Sequence, residues 1–194
     1  MRIFLAGASG VIGVRLVALL VAGDHVVAGM TRSPGKADDL RALGAEPVLC
    51  DVFDAPALTE AVRSFAPEAV IHQLTDLPDA ADEIPSFAAA NNRIRTEGTR
   101  NLLAAANGSG ADRFLAQSIA WTPPSAGEAV AEHERRVLDA GGVVIRYGRF
   151  YGPGTYSGDR VPEHPRIHVD AAARRTIPLL DAPSGVVTVV EAQT

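Results

Sequence analysis

Cysteine is nearly absent from this sequence. Cys50 stands alone among 194 residues, which excludes an intrachain disulfide and fits a reducing compartment. Long apolar runs are missing too. The N-terminal run Ile3–Ala6 enters a glycine turn at once, too early for a secretory leader. The longest apolar stretch near it, Leu16 to Ala22, falls far short of the roughly 20 residues that cross a bilayer. Basic blocks are lacking and the net charge is -5, which argues against a nucleic-acid partner. His164 and His168 have no Cys or Glu at ligand spacing, so no metal site is expected. There is no internal repeat and no low-complexity linker. These absences together describe a cytoplasmic protein without membrane, metal or nucleic-acid attachments.

What is present is an alternation of short apolar runs and helical patterns. Strands are expected at Ile3–Ala6, His25–Met30, Glu46–Cys50, Ala69–His72, Arg113–Gln117, Val143–Tyr147 and Val186–Val190. Helices are expected at Val11–Val21, Lys36–Leu43, Ala57–Phe65, Asn91–Asn107, Glu128–Ala140 and Val169–Leu180. Such alternation calls for an α/β fold of Rossmann type: a doubly wound, mostly parallel sheet of seven strands with helices on both faces. The length fits a single domain over residues 1–194. The stretch from Tyr151 to Pro165, rich in glycine and proline, reads as a loop and as the only place for a substrate-covering element.

The first strand runs into Gly7-Ala8-Ser9-Gly10-Val11-Ile12-Gly13. A glycine turn between a first strand and a first helix is where a dinucleotide pyrophosphate can bind: the backbone approaches closely and the helix aims unpaired N–H groups at the negative charge. Gly7, Ser9, Gly10, Val11, Ile12 and Gly13 are therefore candidate cofactor contacts. A glycine triplet alone would also serve as a tight turn without a ligand; its place at the start of a βαβ unit favours the cofactor. The second strand ends in Gly29-Met30-Thr31-Arg32-Ser33, with no acidic residue for a ribose 2′-hydroxyl. Arg32, about 20 residues past the turn, could instead clamp a 2′-phosphate. NADP is favoured, with NAD the alternative; the competing reading makes Arg32 a solvated loop charge. Asp51, beside Val52 after the third strand, could take the adenine amino group or, equally, Asp51 or Asp54 could cap the next helix. Gln73 and Leu74, after His72, would line the cofactor ribose through their backbone. His72 itself reads as a packed histidine.

These residues resemble the short-chain dehydrogenase/reductase superfamily, and more narrowly its extended or atypical branch, the NAD-dependent epimerase/dehydratase family. The likeness rests on the glycine turn, Asp51-Val52, Glu97-Gly98-Thr99-Arg100-Asn101-Leu102-Leu103, Gln117-Ser118, Arg146 with Tyr151-Gly152-Pro153-Gly154, and His168-Val169-Asp170-Ala171-Ala172. It covers nearly the whole chain, in order. The resemblance implies a serine that holds a substrate carbonyl, which Ser118 matches, and a Tyr-x-x-x-Lys pair for proton transfer. A phenol with pKa about 10 needs such a cation to work at neutral pH. Here the tyrosine position falls on Ala126 and the lysine position on Val130, and no Tyr-x-x-x-Lys occurs anywhere. The substrate-binding region is reduced as well, to a residual loop over 151–167.

Replacement acids are Tyr147, Tyr151 and Tyr156, with Arg149 between the first two, and His133. The charged neighbours of His133 make a solvated helix face the favoured reading for it. Trp121-Thr122-Pro123-Pro124 is either an apolar wall or plain packing. The resemblance implies an NAD(P)-dependent oxidoreductase acting on a small carbonyl or sugar-like substrate. The alternatives are a non-redox NADP(H)-binding sensor or scaffold, or a repurposed fold performing dehydration, cyclisation or isomerisation. A second copy of the chain could cover the open site, so a homodimer is one arrangement the sequence allows.

Overall fold

The computed structural model describes residues 1–78, 80–121 and 126–192. An interior strand, β1 (Arg2–Ala6), has Ile3, Phe4, Leu5 and Ala6 fully buried, as a strand covered on both faces requires. Around it lie β2 (Val26–Thr31), β3 (Glu46–Leu49), β4 (Ala69–His72), β5 (Arg113–Ile119) and β6 (Val143–Tyr147). Two short strands, β7 (Arg149–Tyr151) and β8 (Arg166–His168), stand apart, and β9 (Gly185–Val189) returns to the main sheet. That sheet has seven strands in the order β3-β2-β1-β4-β5-β6-β9, all paired in parallel. The order reverses between β1 and β4. This is the topological switch point, outside whose strand C-termini open α/β sheets bind ligands.

Helices cover both faces. The α1 (Gly13–Ala22) and α7 (Val169–Thr176) side closes over Ile3, Leu5, Ile71, Leu115 and Ile145, joined by Leu40 of α2 (Ala37–Ala42). The opposite side carries α3 (Ala55–Phe65), α5 (Thr99–Ser109) and α6 (Gly127–Asp139) over Phe4, Val70, Phe114 and Val144. Asp54 caps α3 by accepting from the Ala57 N–H at 3.1 Å, and Ala66 ends it in the left-handed region.

Three elements differ from the sequence expectation. The helix expected over 91–107 begins earlier and is interrupted: a 3₁₀ turn (Ala81–Phe87), α4 (Ala88–Arg93), a π segment (Ile94–Gly98) and then α5. The wider π turn keeps both Ile94 and Gly98 against the core, and a Cβ on Gly98 would already touch Val52 at 3.4 Å. Helix α7 stops at Thr176 and becomes 3₁₀ over Ile177–Asp181, because Pro178 has no N–H to continue it. The region read as a loop carries the parallel pair β7–β8 at its ends. Glu191 fastens this pair: it accepts from Tyr151 Oη at 2.6 Å and from the His168 N–H at 3.2 Å, and meets Arg166 at 3.4 Å.

Candidate cofactor site

The turn after β1 is tied down by two amides. The Gly7 and Ala8 N–H groups both donate to Met30 O, at 3.3 and 3.2 Å, hooking the turn onto the end of β2. Gly7 sits at φ +87°, and a Cβ there would lie 2.7 Å from the Gln73 carbonyl. A Cβ on Gly13 would lie 2.1 Å from Gly7 O, so helix and turn touch backbone to backbone. Gly10 is different: its Cβ would meet only Gly7 O, at 3.4 Å. The space above Gly10 is open, and α1 has no side-chain cap. The N–H groups of Ser9, Val11 and Ile12 have no backbone acceptor among the described residues. Bare amides at the positive end of a ten-residue helix, beneath open space, fit a pyrophosphate.

A crevice of about 230 Å³ runs from this turn to the end of β3. Of the residues expected from sequence it is lined by Gly7, Ser9, Gly10, Arg32, Asp51, Val52, Gln73 and Leu74. Val11, Ile12 and Gly13 do not line it: Ile12 is buried in the core, and Gly13 is spent on contact with the turn. Met30, Thr31, Ser33 and Ile94 also line it and were not anticipated. Ile94 arrives only through the π segment, for which the sequence offered no signal. Thr31 had one: it ends a strand opposite Ser9, and their hydroxyls meet at 2.9 Å.

At the far end of the crevice, Arg32 and Lys36 face Asp51 and Cys50. Arg32 Nη2 donates to Asp76 Oδ1 at 2.5 Å, which raises the guanidinium's pKa against the opposing effect of burial; Asp51 adds to the rise. Asp51 does not cap α3, the role Asp54 takes; its Oδ1 accepts from the Phe53 N–H at 2.9 Å while the residue borders the crevice. Burial, then Asp54 and Asp51, push the Cys50 thiol up, so it stays protonated and inert. Gln73 borders the crevice with a buried Oε1 that lacks a donor among the described residues. Open space, unpaired amides, this acceptor and the two cations all suit a dinucleotide.

Behind the crevice a buried chain of hydrogen bonds joins β4 to β5. Leu74 N–H donates to His72 Nδ1 at 3.2 Å, so His72 carries its proton on Nε2 and donates to Thr99 Oγ1 at 3.1 Å. Thr99 then donates to His133 Nδ1 at 2.7 Å, and His133 Nε2 donates to Gln117 O at 2.9 Å. The Gln117 amide returns to Leu74 O at 3.0 Å. His133 thus corrects the expectation of a solvated face: it is 2% exposed, and burial lowers its pKa to about 4. Of its charged neighbours in sequence, Arg135 is exposed and Glu132 and Arg136 are half-buried, but Glu134 is buried, and His133 itself faces Thr99 of α5.

The catalytic candidates are dispersed. Ser118 Oγ donates to Glu134 Oε1 at 2.6 Å, and Glu134 is gripped by Arg146 through Nε at 2.9 Å and Nη2 at 2.5 Å. Burial works to raise the Glu134 carboxyl, but the bonds from Arg146 and Ser118 hold it below the usual range. The serine proton is therefore committed, and its lone pairs are what remain. Tyr147 is buried on the other face. Thr176 gives its proton to Ala172 O, so Tyr147 donates to Thr176 Oγ1 at 2.6 Å and accepts from Gln73 Nε2 at 3.4 Å. Burial pushes this phenol up to about 12. Tyr151 is held by Glu191, whose hydrogen bond raises it as well. Arg149 joins neither phenol; its guanidinium lies 5.0 Å above the Trp121 ring. Thr122, Pro123 and Pro124, the rest of the expected apolar wall, lie outside the described residues. Ala126 is buried, while Val130 borders a second hollow with Ile119, Trp121, Glu134, Arg146 and Thr188.

Among the described residues no group of histidines, cysteines and carboxylates could hold a metal ion. No helix among them is long and apolar enough to cross a membrane.

A family model described as NAD(P)H-binding matches residues 7–141, from the glycine turn to the end of α6. A Streptomyces protein named 3-diazoavenalumate denitrifying reductase is 40% identical over 180 residues, covering 80% of this chain. The chain spans 58% of that relative's length. Among solved structures, the Thermus thermophilus UDP-glucose 4-epimerase in complex with NAD superposes with a TM-score of 0.83 at 18% identity, covering all of this chain and 78% of that one. The Thermotoga maritima UDP-glucose 4-epimerase with UDP-glucose gives 0.80 at 17% identity, covering 98% and 77%. At such identities the likeness is one of fold.

Proposed function

From the premise that the chain belongs to the NAD(P)H-binding family, we propose that it is an NADP(H)-dependent reductase of a small, electron-poor substrate. The observation that carries this reading is the crevice lined by Gly7, Ser9 with its bare amide, and Gly10 on the turn, and by Arg32 and Lys36 beyond β2. A guanidinium and an ammonium there suit a 2′-phosphate. The reductase at 40% identity supports the reaction type.

When bound, the cofactor supplies a hydride. The turn's N–H groups bind and orient the pyrophosphate, and the Gln73–Leu74 segment borders the ribose. Ser118, its proton held by Glu134, offers lone pairs that orient a substrate donor. Tyr147 and Tyr151 each spend their proton inside the protein, so protonation falls to solvent. A substrate reduced without a positioned acid must be a strong hydride acceptor by its own electronics. This favours an electron-poor group over an unactivated sugar carbonyl.

The test is NADPH oxidation by the purified chain with a panel of activated ketones and aryl diazo compounds. Turnover that Arg32→Ala weakens through the cofactor KM supports the reading. Tight NADPH binding without oxidation on any substrate would instead establish the non-redox reading, which the dispersal of the candidate acids favours.

A further inference from the structure

Arg32 has a partner across the crevice. Its Nη2 lies 2.5 Å from Asp76 Oδ1, so the ion pair joins the loop after β2 to the loop after β4, the strands on either side of β1. Asp76 is the more buried member, its side chain 17% exposed against 58% for Arg32. Its backbone is pinned as well: the Asp76 N–H donates to Oδ1 of the buried Asn91 at 3.1 Å. The carboxylate is thus fixed and the guanidinium comes to it. Asp51 adds a second negative charge at the same end, felt by Arg32 through space.

Resting on the NADP reading above, we propose that Asp76 is a specificity-determining residue that competes with the cofactor's 2′-phosphate for Arg32. A 2′-phosphate carries close to two negative charges and seeks the same N–H donors. To reach them it must share the guanidinium with the Asp76 carboxylate, which already takes Nη2, and sit near it, and like charges at such range repel. NADH lacks that phosphate and leaves the pair intact. Asp76 therefore lowers affinity for the phosphorylated cofactor selectively and narrows the gap between the two. The substitution Asp76→Asn would keep the side chain's shape and the backbone bond to Asn91 while removing the charge.

The experiment is calorimetric titration of the full chain with NADPH and NADH at low and high salt. The proteins are wild type, Asp76→Asn, Arg32→Ala and the double variant. Asp76→Asn is expected to tighten NADPH about three- to fivefold, the range of a partly exposed ion pair, and NADH by less than about twofold. The gain shrinks at high salt and vanishes in the Arg32→Ala background. Equal gains for both cofactors, a gain that survives Arg32→Ala, or weaker NADPH binding in Asp76→Asn overturns the proposal; the last would make Asp76 an aligner of Arg32. If Arg32→Ala alone leaves NADPH affinity unchanged, the NADP reading fails with it. If Arg32→Ala weakens NADPH and Asp76→Asn changes nothing, only the competition fails.

Discussion

At the scale of single residues, two glycines of one turn do opposite work. Gly13 is needed because its hydrogen faces Gly7 O across 2.1 Å of would-be Cβ distance, whereas Gly10 leaves open space. Gly10→Glu should fold with a melting temperature near wild type and bind no dinucleotide, since the added carboxylate fills the crevice and repels phosphate. Gly13→Ala should lose about 1–3 kcal/mol of stability from overpacking, visible in the denaturant midpoint. A Gly10→Glu protein that still bound NADPH would move the pyrophosphate away from this turn. Tyr147 gives a second contrast. Tyr147→Phe removes a bond to Thr176 and strands Gln73 Nε2, which should cost about 1–3 kcal/mol of stability, while NADPH oxidation keeps its rate per folded molecule. A large fall in kcat at unchanged stability would return Tyr147 to catalysis.

At the scale of elements, the join between β4 and β5 depends on two neutral histidines. Burial, with Arg95, lowers His133 to about 4 against the Gln117 carbonyl and Glu134, which oppose; burial and then His133 lower His72 as well. A depressed histidine means that the unfolded chain binds the proton first. Stability is therefore full above the unfolded value of 6.5 and declines as pH falls toward about 4. The His133 contribution alone is on the order of 3 kcal/mol across that window. Urea midpoints should drop over this range, and His133→Gln should flatten the slope; a midpoint unchanged between about pH 7 and about pH 4.5 would show that the relay is not neutral. None of this was legible in sequence, because Glu132, Glu134, Arg135 and Arg136 surround His133 and charge patterning marks a surface. Helix orientation within the fold, not local composition, decides that one position of the turn faces α5. The same limit hid the π segment. By contrast the main-sheet strands were legible, since the fully apolar Ile3–Ala6 and the buried Ala69–His72 can only be central, and Arg32 was legible because the end of β2 is fixed by the βαβ geometry.

At the scale of the whole molecule, the loop between β7 and β8 spans the switch point. Arg15 ties its Pro153 O at 2.8 Å to the first turn of α1 by also donating to Val11 O at 2.6 Å and to Asp170 at 2.5 Å. Further along, Tyr156 Oη donates to Pro78 O on the loop after β4. One strap thus bridges the start of α1 and the loop after β4, the segments that flank the crevice's Gly7–Gly10 and Gln73–Thr75 lining. The glycines and prolines of the Tyr151–Pro165 stretch marked it as a covering element, but not what it would touch, since each contact joins residues far apart in the chain. A cofactor that this strap covered would leave faster when its far anchor is cut. Tyr156→Phe removes one hydrogen bond worth about 1 kcal/mol, so the NADPH dissociation rate should rise about fivefold. Stopped-flow displacement measures this directly. The free protein holds the same hydrogen bond, so its melting temperature should fall as well, by about 2–4 °C. An unchanged off-rate would mean that the strap packs beside the cofactor without holding it, and that retention rests on the turn and Arg32 alone.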